Sequence, residues 1–221
     1  MLFAFVASHI NKKYRLFTLL HAVKSVLENT VLCDRIVISI SLDKGIDSVV
    51  LDILKKEPKI TLLYIDKPTY QFDHYLNIYK NISIDNDDTI IFLDDDDLYD
   101  KNLIRKVKEN NGEVLRFMMT SFCDAPKKED RKETRNGDCF TLDTEDDDNW
   151  HITEYFQYAI KGHIFKEFFK KDNHICKNKL HKPIGCRDCY YRDLDFGSFV
   201  YNYTKDIQYI DEFLYYKRMT T

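Results

Sequence analysis

The chain has few of the residues that loosen or break a backbone: 6 glycines and 4 prolines in 221 residues. That scarcity excludes a flexible linker, and neither an internal repeat nor a low-complexity tract divides the chain, so a single domain is expected. At this length one domain can bury a sizeable core. Cysteine is sparse as well. Six scattered thiols are too few for a disulfide scaffold and predict free thiols in a reducing, cytoplasmic compartment. Positive charge is in no surplus: 33 Lys and Arg stand against 37 Asp and Glu, a net charge of -4, whereas a duplex-binding surface needs a basic excess. No nucleic-acid partner is expected. Apolar runs stop at strand length, and MLFAFVASHINKKYR has no basic leader ahead of its apolar segment, so neither a membrane span nor a signal peptide is expected. The richness in Lys, Asn, Asp, Ile, Tyr and Phe fits an AT-rich coding genome.

What is present is alternation. LFAFVAS (2–8) has the pattern of a buried strand, and residues 13–27 then place Leu16, Leu19, Leu20, Val23, Val26 and Leu27 on one helical face. RIVISISL (35–42) predicts a second strand, and Asp47 is expected to cap a helix carrying Val49, Val50, Ile53 and Leu54 that stops before Pro58. KITLLYI (59–65) predicts a third strand, a helix follows around Tyr70 to Tyr79, and TIIFL (89–93) predicts a fourth strand. Asp100 is expected to cap a helix through Leu103, Ile104 and Val107, ended by Asn110, Asn111 and Gly112. Strands separated by helices imply an α/β fold with a mostly parallel sheet covered on both faces. The second half reads differently. EVLRFMMTSF (113–122) is strand-like, KKEDRKETRNG (127–137) and LDTEDDDN (142–149) are charged surface excursions, and helices are expected near 152–160 and 164–171. The tyrosines at 190, 191, 201, 203, 209, 215 and 216 fit strand with one buried face.

Chemistry concentrates in TIIFLDDDDLYD (89–100), where four carboxylates follow an apolar run. Like charges at that spacing repel, and desolvation at a core edge raises the cost of each, so a cation is expected there. In open α/β sheets ligands collect at the carboxyl ends of strands. On an extended chain Asp94 and Asp96 project to one side, about 7 Å apart, while Asp95 faces the other way. Oxygen-only ligands favour Mg2+ or Mn2+, and such ions keep places for substrate phosphates when only one or two carboxylates hold them. The bland alternative is a helix N-cap with spare acids, but one cap uses one Asp.

IIFLDDDDLYDKNLI resembles the apolar-Asp-x-Asp-Asp segment of glycosyltransferases with the GT-A fold, particularly the large inverting family 2. GCRDCYYRDLDFGSFVYNYTKDIQYIDEFLYYKR (185–218) is similar to that family's closing stretch, and YAIKGHIFKEFF (158–169) to its Gly-containing segment. Compact members encoded by large algal viruses are similar in size and composition. The resemblance implies a GT-A, Rossmann-like sheet with flanking helices and a mixed C-terminal region. Residues 1–112 would form the nucleotide-sugar-binding half and 113–221 the acceptor-side half. It further implies a metal-dependent hexosyltransferase that moves a sugar, with inversion, from a UDP-sugar to an acceptor hydroxyl on a glycan or glycoprotein. In that reading Asp94, with Asp95 beside it, lies on the donor side, and Asp96 and Asp97 hold Mn2+ or Mg2+. Ala7 and Ser8 lie where backbone groups meet the uracil ring. Gln71 and His74 serve the base or the pyrophosphate. Asp188 is the base that takes the acceptor proton, with Asp193 as second choice, and Arg187 and Arg192 beside them would keep a carboxylate ionised. The chain departs from the family where an acidic pair ends the second strand, since here Ser41 and then Asp43 stand. It departs again where a His follows the closing Arg, since Met219, Thr220 and Thr221 follow Arg218.

Other signals are weaker. Cys186-x-x-Cys189 with Cys176, His174 and His181 has zinc-ligand types at irregular spacing, inside the stretch that matches the glycosyltransferase tail. Trp150 suits either stacking on an acceptor sugar or packing. Asp-x-Asp after an apolar strand also resembles the haloacid-dehalogenase-like phosphatases, with Asp94 as nucleophile and Asp96 as acid/base, although there the motif follows the first strand. An EF-hand alignment of DNDDTIIFLDDD puts Ile90 where glycine is required and fails.

Overall fold

The computed structural model describes residues 1–46, 49–123, 157–171 and 192–219. Strands β1 (Leu2–Ile10), β2 (Arg35–Leu42), β3 (Ile60–Ile65) and β4 (Thr89–Asp94) alternate with helices α1 (Lys13–Leu27), α2 (Val49–Leu54) and α3 (Gln71–Asn81). Then come β5 (Leu98–Tyr99), α4 (Leu103–Glu109), β6 (Val114–Cys123), β7 (Tyr158–Lys161), α5 (Gly162–Lys171), α6 (Arg192–Tyr203) and β8 (Ile207–Met219). The strands form one sheet in the order β3-β2-β1-β4-β7-β6-β8-β5. β1 pairs in parallel with both β2 and β4, and β2 with β3. Phe3, Ala4, Phe5 and Val6 are fully buried, which accounts for the unbroken apolar reading of this central strand. Successive strands add on one side of β1 and then, from β4, on the other, so strand order reverses between β1 and β4. That switch point is where an open α/β sheet leaves a crevice.

The second half continues the sheet. β7 runs antiparallel between β4 and β6, β8 lies parallel to β6, and β5 pairs antiparallel with β8 through Leu98–Tyr216 and Tyr99–Tyr215. β5 follows β4 closely in the chain yet pairs at the other end of the strand order, so the sheet curls and residues 95–97 cross the gap. An aromatic layer joins α3, α5 and α6 to the sheet. Phe5 and Phe92 meet Phe165 with ring centroids 5.3 and 6.1 Å away, and Phe196 lies 5.6 Å from Phe92 and 4.8 Å from Phe168.

Three expectations are corrected. The segment near 152–160 was expected to be helical, but Tyr158–Lys161 is a strand; the short apolar run is buried between two neighbours, where periodicity does not separate strand from helix. Tyr201 and Tyr203 lie in α6 and not in a strand. Asp100 does not occupy the cap position of α4: its carboxylate accepts from the Asn102 amide at 2.8 Å and from the Tyr216 hydroxyl at 3.0 Å, closing the preceding turn and tying it to β8. Asp47 lies outside the described residues. Among those described, no helix is long and apolar enough to cross a membrane.

Gly162 opens α5 where a side chain has no room. A Cβ there would stand 2.1 Å from the Asp85 carbonyl oxygen, and the Gly162 amide donates to the Asp88 carbonyl at 2.7 Å. The obstacle is backbone and cannot swing aside. Gly162→Ala is therefore expected to lower stability by about 1–3 kcal/mol in urea unfolding, with the slope of the transition unchanged.

Candidate functional site

Register brings the carboxyl ends of three strands together. Ala7 faces Ser39 on one side and Asp94 on the other, and His9 faces Ser41. Asp94 ends β4, where one of its carboxylate oxygens accepts from the Gln71 amide at the start of α3 and its own backbone amide points to the Tyr215 hydroxyl at 3.3 Å. The chain then turns at once, because the Asp97 amide donates to the Asp94 carbonyl at 3.3 Å. The extended spacing expected for Asp94 and Asp96 does not occur; a turn replaces it.

The turn sorts the acids. Asp95 is turned inward and is 5% exposed. The Ser8 hydroxyl donates to one of its oxygens at 2.7 Å, and the Arg15 guanidinium to the other at 3.1 Å. Asp97 is also buried, accepting from the Tyr215 hydroxyl at 2.7 Å and from the Arg218 backbone amide at 2.6 Å. Asp96 keeps 23% of its side-chain surface, with the other arm of Arg15 at 3.9 Å. Burial pushes the Asp95 carboxyl up to about 7 despite Arg15, and pushes Asp97 up to about 6 despite its two donors. Burial works against the charge of Arg15, yet Asp95 and Asp96 hold its pKa above the ordinary value. The cation that four adjacent acids demanded is thus supplied in part by the protein. No motif marks Arg15; its one signal in the sequence is a cation in the first turn of a helix that has no acid there.

Beneath the strand ends lies a buried polar chain. His74, 1% exposed, places one ring nitrogen 2.9 Å from the Ser39 hydroxyl and the other 3.2 Å from the Ser41 hydroxyl. Asn77 donates to Ser39 at 3.0 Å, and Ser41 also meets His9 at 2.9 Å. The far nitrogen of His9 stands 3.6 Å from the Asp43 carboxylate, which is 43% exposed. Burial, and then His9, pushes His74 down to about 3, so the ring is neutral and offers one donor and one acceptor.

The structure therefore gathers Ala7, Ser8, Ser41, Asp43, Gln71, His74 and Asp94 to Asp97 at the carboxyl ends of β1, β2 and β4. Asp188, Trp150, Cys176, His174, His181, Cys186 and Cys189 lie outside the described residues. Asp193 falls in α6, its side chain undescribed. Among the described residues, no group of three or more His, Cys, Asp or Glu forms a candidate metal-ion cluster.

Because His74 stays neutral in the folded state while an unfolded histidine protonates near pH 6.5, unfolding takes up a proton and stability falls as pH drops below that value. Asp95 acts in the opposite sense, its raised pKa favouring the folded state as pH falls, but a His74→Gln variant shares that contribution. Between pH 7 and pH 5 the wild type is expected to lose about 2 kcal/mol more than His74→Gln in denaturant melts.

No protein-family model matches the chain, and no curated protein sequence matches it. Solved structures do match. The crystal structure of S. aureus TarS 1-349 in complex with UDP-GlcNAc superposes with a TM-score of 0.64 at 12% identity, over 100% of this chain and 59% of that one. The same fragment in complex with UDP gives 0.61 at 12% identity, over 100% and 61%. A further S. aureus TarS structure gives 0.61 at 13%, over 99% and 36%. This chain thus spans between 36% and 61% of these neighbours. At such identity the likeness is one of architecture: the chain has a GT-A-like α/β fold.

Proposed function

We propose that the chain is a glycosyltransferase that takes a UDP-sugar as donor and, with a divalent ion, passes the sugar to an acceptor hydroxyl. One observation carries this reading. Ser8, Asp43, the Gln71–Asp94 pair and the accessible Asp96 converge at the strand switch point of a fold that in TarS has been solved with UDP-GlcNAc and with UDP.

The roles follow from position. The ends of β1 and β2, with Ala7, Ser8, Ser41 and Asp43, receive the nucleoside, Asp43 being an exposed acceptor for an N–H edge. His74 holds Ser41 from below. Gln71 orients Asp94 toward the ribose and the donor sugar. The donor set fits Mg2+ or Mn2+, because Asp96 is a hard oxygen ligand left accessible by its turn, and the diphosphate would complete the coordination. Asp97, with both oxygens engaged by Tyr215 and Arg218, fixes the turn behind Asp96; Asp95 does the same through Ser8 and Arg15. Such an ion, held by Asp96, would supply Lewis-acid neutralisation of the departing diphosphate. Asp188 is assigned as the base, with Asp193 second, on the family resemblance; the same resemblance carries inversion, a hexose donor and a glycan or glycoprotein acceptor.

A thermal-shift panel of nucleotide sugars with and without Mn2+ tests the donor class. UDP-sugars with Mn2+ are expected to raise the melting temperature by on the order of 5 °C at ligand about 100-fold above Kd, and Asp96→Asn to abolish the metal-dependent part. No shift with any nucleoside diphosphate and metal, together with acyl-phosphate trapped on Asp94, would establish phosphatase chemistry instead. Asp188→Asn is expected to keep donor binding while kcat falls about 100- to 10,000-fold; a variant with full transfer rates would remove Asp188 from the base role.

A further inference from the structure

Arg15 breaks a local rule. It lies in the first turn of α1, where the aligned peptide dipoles disfavour a cation, and that turn offers it no acid. Such a violation marks a side chain placed for something outside its own helix. The guanidinium reaches the aspartate turn, and its two contacts there differ in kind. One arm donates to Asp95 at 3.1 Å, and that acid is buried and fixed on its other oxygen by Ser8 at 2.7 Å. The second arm stands 3.9 Å from Asp96, beyond hydrogen-bond range, and Asp96 is the more accessible of the two.

We infer that Arg15 is a positioning residue that acts as the resident cation of the donor site and makes metal binding depend on the nucleotide. This rests on the metal assignment above. The firm arm holds the turn in shape through Asp95. The loose arm attracts Asp96 without closing on it, so Asp96 can exchange the guanidinium for a divalent ion. Because Arg15 already offsets part of the charge on the turn, an ion arriving alone meets a weakened field. A diphosphate restores the negative charge that Arg15 cancels, and ion and nucleotide then bind together. The same guanidinium is a planar donor suited to a phosphate oxygen once Asp96 turns away.

The test is Mn2+ titration, read from the free-ion EPR signal, with and without UDP. In the wild type, UDP is expected to tighten Mn2+ binding strongly. In Arg15→Gln, Mn2+ alone is expected to bind about five- to tenfold tighter than in the wild type, and the gain on adding UDP to shrink. Arg15→Lys, whose single ammonium cannot span both acids, is expected to fall between the two, and it carries the test if the Gln variant does not fold. A role confined to stability would lower the melting temperature and leave every Mn2+ dissociation constant unmoved; that result, in either variant, overturns the inference. A wild type that takes up Mn2+ neither with nor without UDP would instead remove the metal assignment, and this inference with it.

Discussion

Four consecutive carboxylates can share one tight turn only if each has its own partner, and much of the molecule is arranged to supply them. Asp94 takes an amide from α3, Asp95 a hydroxyl from β1 and a guanidinium from α1, and Asp97 a hydroxyl and a backbone amide from β8. These partners come from elements far apart in the chain, and the reversal of strand order between β1 and β4 lets them meet. Asp96 is left more accessible than Asp95 and Asp97, whose oxygens are taken up by their own partners. A turn held rigid by its flanking acids presents the remaining carboxylate at a defined place, which suits a site that must be formed before its ligand arrives.

The first half of the fold was legible because its signals are local. The apolar runs of β1, β2 and β4 and the 3.6-residue spacing of α1 each report their own environment, and α1 spans the residues its periodicity indicated. The acid cluster was legible for the same reason, since four adjacent aspartates need no tertiary knowledge to be read as a demand for positive charge. What answers the demand was not legible. Arg15 is 80 residues from Asp95 in the chain and Tyr215 is 118 from Asp97; the pairing of β1 with β4 brings the first two together, and the curl of the sheet the second two.

Other differences have similar causes. β7 resembles a helix in sequence because a short strand buried on both faces loses the alternation that identifies strands. The departure of the aspartates from extended geometry begins at a backbone hydrogen bond between Asp97 and Asp94, invisible in composition. His74 could be picked out as a polar residue at the head of α3, yet its burial between Ser39 and Ser41 follows from β2 running alongside α3, a matter of packing and not of spacing. The closing Leu-Tyr-Tyr-Lys-Arg, matched to a family ending, has a structural use here. Tyr215, Tyr216 and the Arg218 backbone all hold the turn or its continuation.

The pairing of β5 with β8 has a consequence for how the protein comes into being. The segment that follows the acid turn gains its strand partner only from residues 215 and 216, near the far end of the sequence. A chain emerging from the ribosome can complete β1 to β4 early and give Asp94 and Asp95 side-chain partners, but Asp97 lacks its own until β8 threads into place beside β6. The finished shape of the turn thus appears in a single late step, set by β8.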